Sequence, residues 1–326
     1  MHHNISIVGA ENSGRKMLAA KLGKIGTESD VTLYNGEFGD EYINSIVPHT
    51  YPEKIQSMIQ AIAMSDYVVL LVSPKNKPDY QLGEHLIVID YMKKPGIIVM
   101  NTTEEQSDFI VSQLKKNIKQ ISAGTIVEGF EILEVNLKDD SIRELQKRIE
   151  EFIPDISGDA LFITDHFFDV KSVGTVLLGT LKRGSLDAYS KMTVYPLGAE
   201  ALIKSMQVMD VDQKHVNAPS RPGLAVKGIK PQDLRRGFAL SQAKIPIAKE
   251  LSLEFKKNQF YKEDVKEGQR IRVACGAQIV DATVKEAGEA LKLELDKEIA
   301  LYSDIIILFR TDISGALRVV GMGKQK

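Results

Sequence analysis

The sequence predicts an α/β domain followed by two β-barrel domains, and three observations lead to this fold class. Up to about residue 155, short apolar runs alternate with helical patterns, as in a parallel sheet whose strands are joined by helices. After "PDISGDA", short strands with turn signals recur every ~10 residues, which is typical of β-barrels. We place a further break near Ser241 and therefore predict domains at 1–155, 159–242 and 243–326.

Each element of the first domain follows from the spacing of apolar residues. The predicted strands are "ISIVG", "VTLYN", "YVVLLVS", "GIIVMN" and "FEILEVN". The predicted helices are "GRKMLAAKLGKIG", closed by Gly26, then "PEKIQSMIQAIAMSD", "QLGEHLIVIDYMKK", one near "EEQSDFIVSQLKKNIKQ", and "DDSIRELQKRIEEFI". Strands that are almost continuous in Val, Ile and Leu indicate a sheet covered on both faces.

Composition excludes several classes of protein. No apolar run reaches the ~18 residues that a membrane helix needs, and no secretory signal pattern is visible. The single cysteine, Cys275, lies in an apolar run and is predicted to be a buried, unreactive thiol, which fits a cytoplasmic protein. The net charge of −2 argues against a generally basic nucleic-acid coat, although a local basic patch stays possible.

The stretch "IVGAENSGRKML" has the spacing of a phosphate-binding loop, with four residues between Gly9 and Gly14. The full pattern then requires Lys and a hydroxyl residue, and those two positions hold Arg15 and Lys16. Backbone N–H groups at the start of the helix could still hold an anion. The alternative is that the stretch is only a tight turn between a strand and a helix.

The stretch "FITDHFFDVKSVGTVLLGTLKRG" resembles the second domain of elongation factor Tu and its relatives. The stretches "RPGLAVKGI" and "DLRRGFALS" match that barrel in order. The dipeptide "DH" and the ending "ALRVVGMG" are most similar to SelB, which delivers selenocysteyl-tRNA. Among archaeal relatives, the chain resembles the SelB-like factor linked to pyrrolysine. The resemblance implies a P-loop GTPase-like α/β domain followed by elongation factor Tu-like domains II and III.

The chemical motifs of that family are altered here. Its Asp-x-x-Gly, which senses the γ-phosphate and Mg²⁺, becomes Pro48–Tyr51, and Pro52 stands at the position of the catalytic histidine. Its guanine-reading Asn-Lys-x-Asp becomes Asn101–Glu104. We assign no catalytic and no metal-binding residue, and expect GTP or GDP binding to be weak or lost, with Mg²⁺ unlikely to bind. Glu53 and His85 are interpreted as solvated helix residues.

The residues expected to contact a nucleotide, if one binds, come from the loop and from the altered guanine motif. They are Gly9, Asn12, Ser13, Gly14, Arg15, Lys16, Asn101 and Glu104. Asn101 and Glu104 could still meet the base through an amide and a carboxylate. An ordinary loop at the end of a strand is the alternative for these two residues.

Basic residues concentrate near the end of the second predicted domain and just beyond it, where the stretch from Arg221 to Glu250 holds seven Lys or Arg against two Asp or Glu. Such a stripe suits phosphate contacts, although a charge run is often only a solvated face. In the resembling family, the aminoacyl end of tRNA lies in a cleft between the first and second domains, and Asp165, His166 and Phe168 precede the strand that would border this cleft. The predicted RNA-binding residues are Asp165, His166, Phe168, Lys182, Arg183, Arg221, Arg235 and Arg236.

Three functions remain open from the sequence. The first is a SelB-like elongation factor paralogue that binds aminoacyl-tRNA, the ribosome or both, with an impaired nucleotide domain and no membrane or DNA partner. The second is an active GTPase in which Arg15 and Lys16 replace the usual lysine and metal. The third is a regulatory interaction protein of the translation apparatus.

Overall fold

The structure is a computed structural model that describes residues 1–104, 107–138 and 142–326. Contacts along the chain divide it into two units. The first contains Met1, His3–Ile153 and Thr311–Val319, and the second contains His2, Pro154–Arg310 and Val320–Lys326. The predicted domain limits stay predictions, and Thr311–Val319 belongs to the first unit although its neighbours in sequence belong to the second.

The described part of the first unit contains a seven-stranded sheet with the strand order β2-β3-β4-β1-β5-β6-β7. Its strands are β1 His2–Gly9, β2 Lys24–Ile25, β3 Val31–Phe38, β4 Glu41–Pro48, β5 Tyr67–Val72, β6 Gly96–Asn101 and β7 Ile132–Val135. The pairs β1–β5, β5–β6 and β6–β7 are parallel. The pairs β2–β3 and β3–β4 are antiparallel, so the sheet is mixed, whereas the sequence predicted a parallel sheet.

Five α-helices connect these strands in the described residues. They are α1 Arg15–Leu22, α2 Ile55–Met64, α3 Tyr80–Tyr91, α4 Asp108–Ile121 and α5 Arg143–Glu150. The carboxylate of Asp79 caps α3 by accepting hydrogen bonds from the N–H groups of Gln81 and Leu82. Residues 105, 106 and 139–141, which fall within two of the predicted helices, lie outside the described residues.

Two predictions about local structure were wrong. Helix α1 ends at Leu22 rather than near Gly26, and Lys24–Ile25 forms the edge strand β2. Strand β4 was not predicted, because Asn44 and Ser45 interrupt its apolar run. Both side chains are buried, and Asn44 Nδ2 donates a hydrogen bond to Asn4 Oδ1 at 3.0 Å. Burial of a polar side chain costs little free energy when the side chain has a hydrogen-bond partner. A buried strand can therefore contain polar residues, and its apolar pattern is then interrupted.

The second unit contains two closed β-barrels, which confirms the predicted fold class. The strands of the first barrel region are β8 Leu161–Val170, β9 Gly174–Arg183, β10 Ser185–Asp187, β11 Lys191–Tyr195, β12 Ala199–Val208, β13 Val211–Gln213, β14 His215–Asn217, β15 Gly223–Lys227 and β16 Ala239–Ser241. The sheet order β11-β16-β8-β9-β15-β12-β13 closes through the pairing of β11 with β12. Phe162, Leu177 and Leu181 lie in its apolar core.

The second barrel follows the order β17-β20-β19-β18-β21-β22 and is closed. Its strands are β17 Ile247–Lys257, β18 Arg270–Cys275, β19 Gln278–Ala287, β20 Leu291–Ala300, β21 Ile306–Phe309 and β22 Val319–Gln325. Because the barrel is closed, the backbone N–H and C=O groups of each strand pair with neighbouring strands, and none of the described strands is left as an edge to pair with another chain. Cys275 is fully buried, as predicted, and its burial raises the pKa of the thiol to about 11.

Candidate functional site

The loop from Gly9 to Gly14 has the backbone of a phosphate-binding turn, and both glycines are required by close contacts. Gly9 has φ +157°, and a Cβ there would lie 2.4 Å from the carbonyl oxygen of Leu71. Gly14 has φ +104°, and a Cβ there would lie 2.6 Å from Asn101 Nδ2. These positions favour glycine because L side chains rarely adopt such angles and because neighbouring atoms fill the space.

Two side chains of α3 accept hydrogen bonds from N–H groups of this loop. The N–H of Gly9 donates to His85 Nε2 at 3.2 Å, and the N–H of Glu11 donates to Gln81 Oε1 at 2.9 Å. Ser13 is buried, and its Oγ has no hydrogen-bond partner among the described residues. The first-turn N–H groups of α1 have no partner within the helix, as at the start of any α-helix.

Arg15 does not reach into the loop. Its Nη1 donates to the carbonyl oxygen of Pro48 at 2.9 Å, and its Nη2 donates to that of Tyr51 at 2.8 Å. Burial lowers the pKa of Arg15, but a guanidinium stays charged in proteins. Lys16 is exposed on α1. The guanidinium of Arg15 is therefore bound to the segment Pro48–Tyr51 and not directed at the loop.

The side-chain amide of Asn101 forms its hydrogen bonds within the protein. Its Nδ2 donates to the carbonyl oxygen of Ser13 at 2.9 Å, and its Oδ1 accepts from the N–H of Thr103 at 3.0 Å. Glu104 forms an ion pair with Lys75, and both side chains are more than half exposed. An exposed pair of this kind contributes little stability. A base could use Asn101 only if its amide gave up these contacts.

His85 is fully buried, so its interpretation as a solvated residue was wrong. Its Nδ1 donates to the carbonyl oxygen of Gln81 at 2.6 Å, which leaves Nε2 as the acceptor for Gly9. Burial, and next the charge of Arg15, lower the pKa of His85 to about 3. The imidazole is therefore neutral at physiological pH. Glu53, by contrast, is exposed as expected.

Three residues that sequence reasoning did not select surround His85 and Arg15. Tyr51 and Glu84 are buried, and Tyr51 Oη donates to Glu84 Oε2 at 3.0 Å. Arg318 binds both carboxylate oxygens of Glu84, at 2.9 Å through Nε and 2.7 Å through Nη2. No local sequence pattern predicts the contact between Arg318 and Glu84, because 234 residues separate them in the chain.

In the second unit, Asp165 lies at a β-bulge in β8, and its carboxylate contacts several polar side chains. The register shifts between Thr164 and His166, so Asp165 is the extra residue. Arg221 donates to its carboxylate through Nε at 3.0 Å and through Nη2 at 2.8 Å. His166 Nδ1 lies 2.8 Å from Oδ1. Burial raises the pKa of Asp165, but Arg221 and His166 outweigh it, so the net pKa is lowered.

Arg236 joins the same cluster by donating from Nε to the carbonyl oxygen of Asp165 at 3.2 Å. Arg236, predicted as an RNA contact, is half-buried rather than fully exposed. Arg221 is also largely covered, with 9% of its side chain exposed. At the bulge, the carboxylate of Asp165 thus binds Arg221, and its backbone carbonyl oxygen binds Arg236.

The remaining predicted RNA contacts differ in exposure and position. Arg183 and Arg235 are exposed, Lys182 is half-buried, and Phe168 is 43% exposed. Lys182 and Arg183 end β9, near the partner residue Leu161, and not at the bulge. The predicted basic stripe is thus divided between the bulge cluster and the end of β9.

Three hydroxyl groups of the first barrel are buried without a partner among the residues that the structure describes. The side-chain oxygens of Thr164, Thr180 and Ser220 are buried and lack hydrogen-bond partners within the described part of the chain. Thr164 precedes Asp165, and Ser220 precedes Arg221 in the sequence. Among the described residues, no group of three or more His, Cys, Asp or Glu side chains could hold a metal ion.

Comparison with known proteins finds relatives of the chain, although no protein-family model matches it. It is 34% identical over 306 residues to the uncharacterized protein MJ0325 of Methanocaldococcus jannaschii, covering 93% of this chain and 94% of that protein. It is also 26% identical over 306 residues to the selenocysteine-specific elongation factor of the same organism, covering 86% of this chain but 65% of that factor. The chain is homologous to MJ0325 and to selenocysteine-specific elongation factors.

Solved structures show the same fold. SelB from Methanococcus maripaludis in complex with the GTP analogue GppNHp aligns over 99% of this SelB-like chain and 78% of its own, with a TM-score of 0.84 and 20% identity. A bacterial selenocysteine-specific elongation factor, EF-Sec, aligns over 100% of this chain and 59% of its own, with a TM-score of 0.84 and 19% identity. None of the helices in the described residues is long and apolar enough to span a membrane.

Proposed function

We propose that this protein is a SelB-like elongation factor paralogue that binds aminoacyl-tRNA, and with it the ribosome, while its nucleotide unit is impaired in GTP binding and hydrolysis. The observation that carries the proposal is the direction of Arg15, whose guanidinium binds the carbonyl oxygens of Pro48 and Tyr51. The relatives named as selenocysteine-specific factors support the tRNA part. We place the protein in the cytoplasm.

The residues of the loop fit a phosphate group but do not fit Mg²⁺–GTP. The free Oγ of Ser13 and the start of α1 suit an anion. The hydroxyl that would bind Mg²⁺ is replaced by Lys16, and the metal-sensing Asp is replaced by Pro48. Phosphoryl transfer depends on the metal, a charge clamp and an oriented water. None of these three has a counterpart in the described side chains at this site.

The bulge cluster supports recognition of the aminoacyl end of tRNA. Asp165 contacts Arg221 and His166 through its carboxylate and Arg236 through its backbone carbonyl oxygen, which brings these three side chains to one place. A positively charged, hydrogen-bonding site of this kind suits a polar group next to a phosphate. Exposed Arg183 and Arg235 would contact the RNA backbone, which carries negative charge and no sequence information.

The alternative is an active GTPase that uses non-standard residues, and one observation favours it. The loop retains the required glycines and an anion site, so binding of a nucleotide needs only a movement of Arg15. In that case, Arg15 would return to the phosphates and supply the charge that the lysine supplies elsewhere. A regulatory interaction protein of the translation apparatus would bind neither GTP nor tRNA.

Phosphate release from GTP separates the first two functions. Purified protein is incubated with excess GTP, with and without Mg²⁺, and we expect release no faster than in buffer. Mg²⁺-dependent release over many turnovers would show an active GTPase. Binding to a tRNA panel, aminoacylated and deacylated and including the tRNA for pyrrolysine, separates the first function from the third. Absence of binding to every member would favour an interaction protein.

A further inference from the structure

The segment Pro48–Pro52 is tethered to the rest of the first unit by two arginines. Arg15 donates to the carbonyl oxygens of Pro48 and Tyr51. Arg318 Nη1 donates to the carbonyl oxygen of Pro52 at 2.7 Å. Three of five consecutive carbonyl groups are thus held by guanidinium donors. Hydrogen bonds from charged donors are shorter and stronger than neutral ones.

Tyr51 anchors the middle of this segment in a closed socket. Its side chain is 1% exposed. The guanidinium carbons of Arg15 and Arg318 each lie 5.7 Å from the centre of its ring, within the range of a cation–π contact. The ring of His85 packs edge-on at 4.7 Å, with 71° between the planes. Two cations and an imidazole therefore line the ring.

The base of the socket is a buried carboxylate. Glu84 is fully buried and accepts three hydrogen bonds from Arg318, from its backbone N–H at 2.9 Å and from its Nε and Nη2. It also accepts from the hydroxyl of Tyr51. Burial raises the pKa of Tyr51 well above its usual range, so the phenol keeps the proton that it donates. Each charged group in the socket has bonded partners, as a buried ion pair requires.

We infer that this cluster of Arg15, Tyr51, Glu84, His85 and Arg318, the Tyr51 socket, is a built-in lock that fixes the segment Pro48–Pro52 in one conformation without a ligand. The segment stands where the resembling family has its phosphate-sensing motif. A ligand shifts a conformational equilibrium only by binding one state better. Since the protein's own guanidinium groups already hold the segment, a nucleotide could move it only by breaking these hydrogen bonds.

The lock predicts a specific pattern of amide hydrogen exchange. The N–H groups of His49 and Thr50 donate to the carbonyl oxygen of Asp30, and that of Lys54 donates to the carbonyl oxygen of Thr50. In the parent protein without nucleotide, we expect these three amides to be protected. Addition of Mg²⁺ and GTP should leave their exchange rates unchanged, and a nucleotide-dependent change in any of them would overturn the inference.

Substitution of Arg15 tests the tether directly. Arg15→Gln should raise exchange of the His49, Thr50 and Lys54 amides at least tenfold, while amides of β5 and β6 keep the parent rates. The matched control is Arg148→Gln, which removes exposed ion pairs elsewhere in the same unit and should change none of them. If the Arg15→Gln segment exchanges as slowly as the parent, the socket does not hold it and the inference fails.

A second variant covers the case in which Arg15→Gln does not fold. Arg15→Lys keeps the charge but lacks the forked donor that reaches two carbonyl groups, so the same three amides should exchange faster. Parent-like exchange in this variant would also contradict the lock. Neither measurement involves tRNA or phosphate release. A protein that fails to bind tRNA would therefore refute the proposed function and leave the lock standing.

Discussion

Arg15 and His85 show how single residues in the loop change its chemistry. A lysine at position 15 would be a compact, flexible charge, whereas the planar guanidinium binds two carbonyl groups at once. His85 in turn accepts from the loop because it is neutral and buried. Sequence reasoning identified position 15 as altered, since the motif names that position. It missed the burial of His85, because α3 places most of its residues, polar ones included, in the core.

His85 predicts a loss of stability in acid. Its pKa is about 3 in the folded protein against an ordinary value near 6.5, so between these values only the unfolded chain binds the extra proton. The free energy of unfolding of the first unit should therefore fall as the pH drops below about 6.5, by up to about 1.4 kcal/mol per unit. This slope is measured by urea unfolding at several pH values from 7.5 to 5, with hydrogen exchange of the β1 amides as the probe of the first unit.

The variant His85→Gln keeps an acceptor for Gly9 and removes the titrating group, so its acid slope should be shallower. The control is His215→Gln, because His215 is exposed and lies in the second unit. It should retain the full slope of the first unit. An unchanged slope in His85→Gln would show that other groups cause the acid sensitivity.

At the scale of elements, periodicity predicted five of the seven described strands of the first sheet and missed β2 and β4. Strand β4 was missed because Asn44 pairs with Asn4 inside the sheet. The bulge in β8 was not visible in "FITDHFFDV", since a bulge depends on the register of the neighbouring strand. For the same reason, sequence reasoning placed Asp165 and Arg221 among the RNA contacts but could not show that they bind each other.

Gly237 precedes β16 of the first barrel, packs against Ala277 of the second barrel and should tolerate no side chain. Its φ is +86°, and a Cβ would lie 2.4 Å from the carbonyl group of Ala277. Its own carbonyl oxygen accepts a hydrogen bond from Tyr302 at 3.0 Å. We expect Gly237→Ala to lower the free energy of unfolding of the second unit by about 3 kcal/mol, at the upper end for point substitutions.

The matched control for that substitution is Gly198→Ala. Gly198 has a similar φ of +66°, but a Cβ there meets no atom within 4 Å. Backbone strain alone should cost about 1 kcal/mol in this variant. Urea unfolding of the second unit measures both values, and equal losses in the two variants would mean that the contact with Ala277 does not matter.

The exposed arginines of the first barrel predict a salt effect on RNA binding. The double variant Arg183→Glu with Arg235→Glu should weaken tRNA binding and reduce the log–log dependence on salt by ~0.7–0.9 for each phosphate that is no longer neutralised. Both side chains are exposed, so folding should be unaffected. We choose Arg183 and Arg235 because Arg236, half-buried against Asp165, would also disturb the bulge.

The control for charge reverses two exposed cations of the first unit, Arg143→Glu with Lys116→Glu. This variant has the same net charge as the test variant. If both double variants lose affinity equally, a general charge effect explains the loss. If the test variant matches the parent at every salt concentration, Arg183 and Arg235 do not contact the tRNA.

At the scale of the whole molecule, the order of one α/β unit and two barrels was predictable because each class of domain has its own hydrophobic period. The assignment of functional residues was less predictable. Arg318 contacts Glu84 from a segment 234 residues away, and no local pattern encodes such a contact. The loop glycines were predictable, since tight backbone contacts demand them wherever this turn occurs. The partners of Arg15 and Asn101 were not, because folding selects them.

The affinity of the protein for aminoacyl-tRNA, with and without a GTP analogue, tests the proposed function most directly. Dissociation constants are measured at fixed salt with Mg²⁺ alone and with Mg²⁺ plus GppNHp. We predict binding that is weak, salt-dependent and equal under the two conditions, because a nucleotide unit with a diverted Arg15 and a replaced metal ligand has no second state for GppNHp to select. A tenfold gain in affinity with GppNHp, about 1.4 kcal/mol, would contradict this account.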